Sequence, residues 1–162
     1  MRMLALAGAV ALVVLAAVLF VGFRVLGEDE PTWGQRATAA CDRSLAKARA
    51  AVSAGEAVAG IERRTLQVYA ASTQVEAGLL GELEELPRPE ADELAIERTL
   101  GILGRSHQAD KVAVERLRRS FDPQLLERRV NETIPILADV RKRFTALRAP
   151  GCVRYYDPAS YR

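Results

Sequence analysis

The sequence is poor in the residues on which metal centres, catalytic sites and disulfide-rich folds depend. It contains two cysteines and one histidine in 162 residues. Two cysteines exclude a small fold held together mainly by disulfides, and a metal site in a helical bundle normally uses paired histidines together with several glutamates. A glycine loop that holds phosphate is also missing, because Gly101 and Gly104 lie within a helical pattern. We therefore expect no metal, no cofactor and no catalysis.

Long apolar runs are confined to the amino terminus. Residues 3–26 include 21 hydrophobic side chains among 24, and a helix of about 20 apolar residues spans the hydrocarbon core of a bilayer. We expect a transmembrane anchor at residues 1–27, in contact with lipid through 3–26, and then an acidic linker at 28–32. The alternative is a signal peptide cleaved after Gly27, because Val25 and Gly27 are small enough for a cleavage site.

Four amphipathic segments follow the linker, and their apolar residues recur at helical spacing. No segment shows the alternation or the β-branched density of a strand. The predicted helices cover residues 33–54, 57–86, 90–120 and 123–147. The residues predicted to face the core include Ile61 on the second helix and Val130 on the fourth. On the third helix they are Ile96, Leu100, Leu103, His107, Asp110, Val114 and Leu117. Short connections between them predict an all-α fold, in which the anchor is followed by an up-down-up-down four-helix bundle over 33–152.

The predicted fourth helix begins with Asp122 as its cap and Pro123 as its first residue. A second proline, Pro135, is expected to kink or split this helix near Asn131. The segment 153–162 contains three of the four tyrosines, and we expect it to form a non-helical tail that folds back on the bundle, frays or serves for docking.

The two cysteines are expected to pair. In a bundle with an even number of helices, the start of the first helix and the end of the fourth lie at the same end, near Cys41 and Cys152. A disulfide closing a loop of roughly 110 residues contributes about 4–5 kcal/mol in the chain-entropy model. Such a bond persists in an oxidising compartment, which favours a bundle outside the cytoplasm. The alternative is two unrelated buried thiols.

Polar residues interrupt the apolar stripes at one level of the predicted bundle. His107 and Asp110 are three residues apart and share the core face of the third helix. Ser72 and Thr133 fall at a similar depth on their own helices. We expect these four side chains to form a buried polar layer rather than a metal site.

Basic residues are concentrated in the last third of the chain. Arg128-Arg129, the run 141–143 and Arg148 predict either a basic face that contacts anionic lipid or an acidic partner, or a solvated face that pairs with the acidic second helix. The formal net charge is only +2, and together with an extracytoplasmic location this argues against nucleic acid as a partner.

The chain resembles the small membrane-anchored or secreted helical proteins of unknown function found in actinobacteria. The resemblance is based on Cys41 early in the first helix, the proline-rich turn at 83–89 and the closing Cys152. The composition agrees, with 20 arginines against 3 lysines and 27 alanines, as a GC-rich genome produces. The family implies a location in the cell envelope. It supplies no known activity and no functional residues.

Two functions from different classes are compatible with these features. The first is a protein-interaction or scaffold module, held at the cell membrane by a single span and acting on another envelope protein. The second is a small-molecule-binding or sensory bundle that uses the polar layer and works with a partner. An enzyme is the third and weakest expectation, because no nucleophile and base are selected by their spacing.

Overall fold

The structure is a computed structural model that describes residues 30–161. Over this range the chain is helical and contains no strand. The helices are α1 Trp33–Glu56, α2 Ile61–Glu85, α3 Glu93–Arg119, α4 Pro123–Ala146, α5 Pro150–Tyr155 and a terminal 3-10 helix at Pro158–Tyr161.

The predicted anchor at residues 1–27 lies outside the described residues. Among the helices found between residues 30 and 161, none has the length and apolar character needed to cross a membrane. From Trp33 onward, the chain forms one compact unit.

This unit is a helical bundle in which each long helix packs against the next in sequence. The short helix α5 packs against both α1 and α4 and thus closes the bundle. The prediction of a non-helical tail is therefore wrong. Helical structure continues after Cys152 because Tyr155 and Tyr156 are buried against the bundle, and burying large rings stabilises an otherwise short helix.

The stripe predicted on the third helix is confirmed along its whole length. The following residues are all buried in α3: Ile96, Leu100, Leu103, His107, Asp110, Val114 and Leu117. The predicted start of α4 is also confirmed, since the Asp122 carboxylate accepts a hydrogen bond from the backbone N–H of Gln124 at 2.9 Å.

Pro135 does not split α4, which continues as one helix through it. Proline removes the hydrogen bond to the carbonyl four residues earlier, at Asn131. Both Pro135 and Asn131 are exposed. Water can therefore bind the carbonyl that the proline leaves without a partner, and the helix continues.

A disulfide between Cys41 and Cys152 joins α1 to α5, which confirms the predicted pairing. The two Cα atoms are 4.9 Å apart, across 111 positions of sequence. This close approach depends on two glycines. A Cβ on Gly151 would lie 2.9 Å from the Cα of Thr38 and closer still to its carbonyl oxygen, and one on Gly34 would lie 2.6 Å from the carbonyl oxygen of Arg148.

Five aromatic rings form a continuous row beside the disulfide. Trp33 stacks on Phe144 with centroids 6.4 Å apart, and Phe144 stacks on Tyr156 at 5.7 Å. Tyr155 then meets Tyr156 edge to face at 4.8 Å and Tyr161 at 6.3 Å. The row links α1, α4, α5 and the 3-10 helix, so the carboxyl-terminal segment is part of the core.

The contact between α5 and α1 should not tolerate a methyl group. We expect Gly151→Ala to lower the free energy of unfolding by about 1–3 kcal/mol, the usual cost of overpacking. The control is Gly78→Ala, because a Cβ there meets nothing within 4 Å and alanine favours a helix by about 0.5–1 kcal/mol. Denaturant unfolding of both variants measures the difference. Equal stability of the two variants would contradict the close packing described here.

Candidate functional site

A buried ion pair joins α3 to α4 in the middle of the bundle. The Nε atom of Arg129 donates to Oδ1 of Asp110 at 2.8 Å, and Nη2 donates to Oδ2 at 3.3 Å. The same Nη2 donates to the carbonyl and the hydroxyl oxygens of Ser106 at 2.8 and 2.9 Å. The side chains of Arg129 and Asp110 are only 9% and 11% exposed, so each charge depends on the other for compensation.

A third helix joins this pair through Tyr69 of α2, whose hydroxyl donates to Oδ1 of Asp110. Burial raises the pKa of Tyr69 well above its ordinary value, and the hydrogen bond to Asp110 raises it further. Burial also lowers the pKa of Arg129, but the hydrogen bond to Asp110 and its charge outweigh this effect and raise that pKa. The tyrosine therefore stays a hydrogen-bond donor and the arginine stays charged.

A cavity of about 350 Å³ lies beside this network, between α2, α3, α4 and the carboxyl-terminal segment. Its polar walls carry hydroxyl groups and two carboxylates, Glu76 and Asp110. Its apolar walls are formed by Leu137 and by tyrosine rings. The exposed Pro158 also lines it, so the cavity reaches the surface there.

Three of the four residues of the predicted polar layer line this cavity together: Ser72, Asp110 and Thr133. His107 is buried but lines a separate cavity of about 260 Å³ on the other side of α2 and α3. There its Nδ1 atom lies 3.4 Å from Oε2 of Glu76. The layer is thus divided, and Glu76 lies between its two parts.

Sequence reasoning missed Arg129, which it placed on a basic outer face. Its position could have indicated burial, because Arg129 lies four residues before Thr133 and therefore on the same face of α4 as a residue of the predicted polar layer. It also placed Ile61 and Val130 on core stripes. They are 73% and 49% exposed. Val130 is exposed because α4 is rotated so that Arg129 points inward, and Ile61 is the first residue of α2. Glu76 and Tyr69 were missed because α2 carries polar residues on several faces.

Three tyrosines of the carboxyl-terminal segment close the cavity at one end. Burial raises the pKa of Tyr155, Tyr156 and Tyr161, and the negative charge of Glu76 adds to the rise in each. Arg49 partly offsets it at Tyr161. These phenols therefore stay protonated and can act as hydrogen-bond donors.

Two buried side-chain polar atoms in the described range lack a hydrogen-bond partner, Nε1 of Trp33 and the hydroxyl of Tyr156, and of the two residues only Tyr156 lines the cavity. Tyr156 is 4% exposed, and its buried hydroxyl has no hydrogen-bond partner within residues 30–161. A buried polar group without a partner costs about 1–3 kcal/mol. Tyr156 and Glu76 both line the cavity, and the Glu76 carboxylate is close enough to the hydroxyl to raise its pKa in addition to the effect of burial, so an unsatisfied polar group and an acid lie together in the cavity wall.

The side chains in and around this cavity do not form a metal site. Within the described range, no group of three or more histidine, cysteine, aspartate and glutamate residues is close enough to hold a metal ion. The arrangement is suited to holding a small molecule by hydrogen bonds, charge and ring contacts.

A second feature is an apolar groove of about 470 Å³ at the start of α2 and α4. Ile61, Phe121, Leu126 and Val130 line it. Apolar side chains exposed side by side are typical of a surface that contacts another molecule.

Breaking the buried ion pair should destabilise the protein far more than breaking an exposed one. We expect Asp110→Asn to lower the free energy of unfolding by about 3–5 kcal/mol, since it leaves the buried Arg129 with only the exposed Glu132 carboxylate, at 3.4 Å, to compensate its charge. The control is Asp139→Asn, which breaks the surface pair with Arg143 at 2.7 Å and should cost no more than about 1 kcal/mol. Denaturant unfolding measures both, and similar losses would contradict the account.

The chain has no match among protein-family models, curated proteins or solved structures. These comparisons add no relative to the resemblance drawn from the sequence. Function must therefore be argued from the site itself.

Proposed function

We propose that this protein is a binding module of the cell envelope, anchored in the cell membrane by residues 3–26, with its helical bundle outside the cytoplasm. In this proposal the bundle binds a small molecule in the cavity beside Asp110 and performs no catalysis. A protein partner then receives the signal or the ligand.

One observation carries the proposal. The cavity combines space for a small molecule with a buried hydroxyl group, that of Tyr156, which has no partner in the described part of the chain. Native interiors pair nearly all buried polar atoms. The unpaired hydroxyl belongs to a residue that lines a cavity of about 350 Å³, and a few polar groups in a largely apolar cavity of this size are typical of small-molecule sites.

Two features support the location. The segment 3–26, with 21 hydrophobic residues among 24, is long enough for a membrane span. The disulfide between Cys41 and Cys152 would persist in an oxidising compartment and be reduced in most cytoplasms.

The groove between α2 and α4 favours a second candidate, a protein-interaction or scaffold module. Its exposed apolar residues, Ile61 and Val130 among them, would be covered by another envelope protein. One protein can have both functions, but only the binding module requires a ligand in the cavity.

The cavity is tested by thermal unfolding of the full chain, in a non-ionic detergent, against a panel of amines, sugars, carboxylates and amino acids. We expect a compound to raise the melting temperature, since saturation at about 100 times Kd adds roughly 2.7 kcal/mol. Ser72→Phe, which fills the cavity, should abolish the shift, while Gln67→Phe on the exposed side of α2 should keep it. If no compound shifts the wild-type protein, the interaction module replaces the binding module.

The location is tested by the state of the cysteines in intact cells. We expect a maleimide reagent to label neither Cys41 nor Cys152 until a reductant is added, and to label both afterwards in the unfolded protein. Added protease should also degrade the bundle from the outer face of the membrane. Two free thiols in protein from intact membranes would contradict the extracytoplasmic location.

A further inference from the structure

We propose that the ligand of the cavity is a small organic cation, an alkylammonium ion whose charge lies at Glu76 and whose apolar part contacts the tyrosine rings. The inference rests on the proposed binding function and narrows it to one chemical class. It depends on how the charges, the rings and the unpaired hydroxyl group are distributed along the cavity wall.

The two carboxylates of the cavity differ in whether a cation within the bundle already neutralises their charge. Asp110 is held by Arg129 at 2.8 Å and by the hydroxyl of Tyr69. The ion pairs of residues 30–161 give Glu76 no arginine or lysine, only Nδ1 of His107 at the long distance of 3.4 Å. The side chain of Glu76 is 16% exposed, so it is a largely buried acid that lacks a strong cationic partner.

An anion is poorly suited to the same place. Arg129 is the nearest buried cation, and its donors are taken up by Asp110, Ser106 and the Glu132 carboxylate. At the rim, Arg49 donates to the carbonyl oxygen of Ser160 at 2.8 Å. A carboxylate or phosphate in the cavity would therefore face Glu76, and the charge of Arg49 would compensate it weakly because that side chain is exposed and screened by solvent.

The rings near Glu76 provide the second part of a cation site. The ring plane of Tyr155 is inclined at 84° to that of Tyr156 and at 71° to that of Tyr161. The aromatic walls therefore meet at steep angles. The faces of aromatic rings attract an ammonium group, and desolvation strengthens the attraction. Leu137 adds an aliphatic surface for the methyl or methylene groups of the ligand.

The hydroxyl of Tyr156 indicates that the ligand also carries a polar oxygen. It has no partner at hydrogen-bond distance in the described bundle, and, besides burial, the Glu76 carboxylate lies close enough to raise its pKa. A ligand hydroxyl that accepts from Tyr156 and donates to Glu76 would satisfy both groups. An amino alcohol or a similar compact cation meets all three requirements, and the cavity of about 350 Å³ is at the small end of the range for ligand sites.

The test compares choline with 3,3-dimethyl-1-butanol, its neutral analogue of the same shape, by calorimetric titration of the full chain in a non-ionic detergent. We expect choline to bind at least about tenfold more tightly, because the charge interacts with both the acid and the rings. Sodium acetate and inorganic phosphate serve as anionic probes and should not bind.

Single substitutions test whether Glu76 and Tyr156 are the residues that bind choline. Glu76→Gln should weaken choline binding about tenfold or more and leave the neutral analogue unchanged. Glu84→Gln, on the same helix but exposed and outside the cavity, should change neither. Tyr156→Phe should weaken choline binding by a smaller factor without loss of stability, since it removes a hydroxyl that has no partner.

The outcomes separate this inference from the proposed function. Equal affinity for choline and its neutral analogue, or choline binding that Glu76→Gln leaves unchanged, would overturn the cation inference and leave the binding module standing. Binding of acetate or phosphate in place of choline would overturn it as well. If no compound of the wider panel binds either, both the inference and the binding function fail. Because the comparison on the wild-type chain requires no substitution, it decides the question even if a variant does not fold.

Discussion

The disulfide between Cys41 and Cys152 determines how the bundle is closed, because it holds α5 against α1. Two glycines allow this approach, since Gly34 and Gly151 face backbone atoms where a side chain would collide. With α5 in this position, Tyr155 and Tyr156 turn into the bundle and complete the aromatic row that starts at Trp33. The same tyrosines form one end of the cavity. The site proposed for a ligand is therefore a consequence of the covalent link as well as of helix packing.

The ion pair of Arg129 and Asp110 imposes the second constraint. Burying two charges costs several kcal/mol per ion unless geometry and hydrogen bonds compensate it. Here Ser106, Tyr69 and the pair itself supply these contacts, so α2, α3 and α4 are held in one register at this level. Fixing the register keeps Glu76 and the tyrosines together in the wall of one cavity.

The features that could be predicted from the sequence are those with a long repeat or a strong local signal. The stripe of α3 is regular over 22 positions from Ile96 to Leu117, and all of its predicted residues are buried. The cap at Asp122 follows from a local hydrogen bond. The pairing of the cysteines followed from the even number of helices. In contrast, hydrophobicity selected Val130 over Arg129 for the core of α4, because an isolated arginine is costly to bury and its partner Asp110 lies 19 positions away.

Composition and periodicity thus determined the helical class, the turns, the cysteine pair and the presence of polar residues in the core, because each depends on near neighbours or on simple counting. They did not determine which polar residues meet. Ser72, Asp110 and Thr133 share a cavity while His107 lies on its far side, and this depends on the rotation of each helix about its axis. That rotation was settled by contacts between helices: the buried ion pair, the glycine contact of α1 with α5, and the packing of tyrosine rings. Only the tertiary structure could place Glu76 and Tyr156 at one cavity, because they are 80 positions apart in sequence, the first in α2 and the second just after the end of α5.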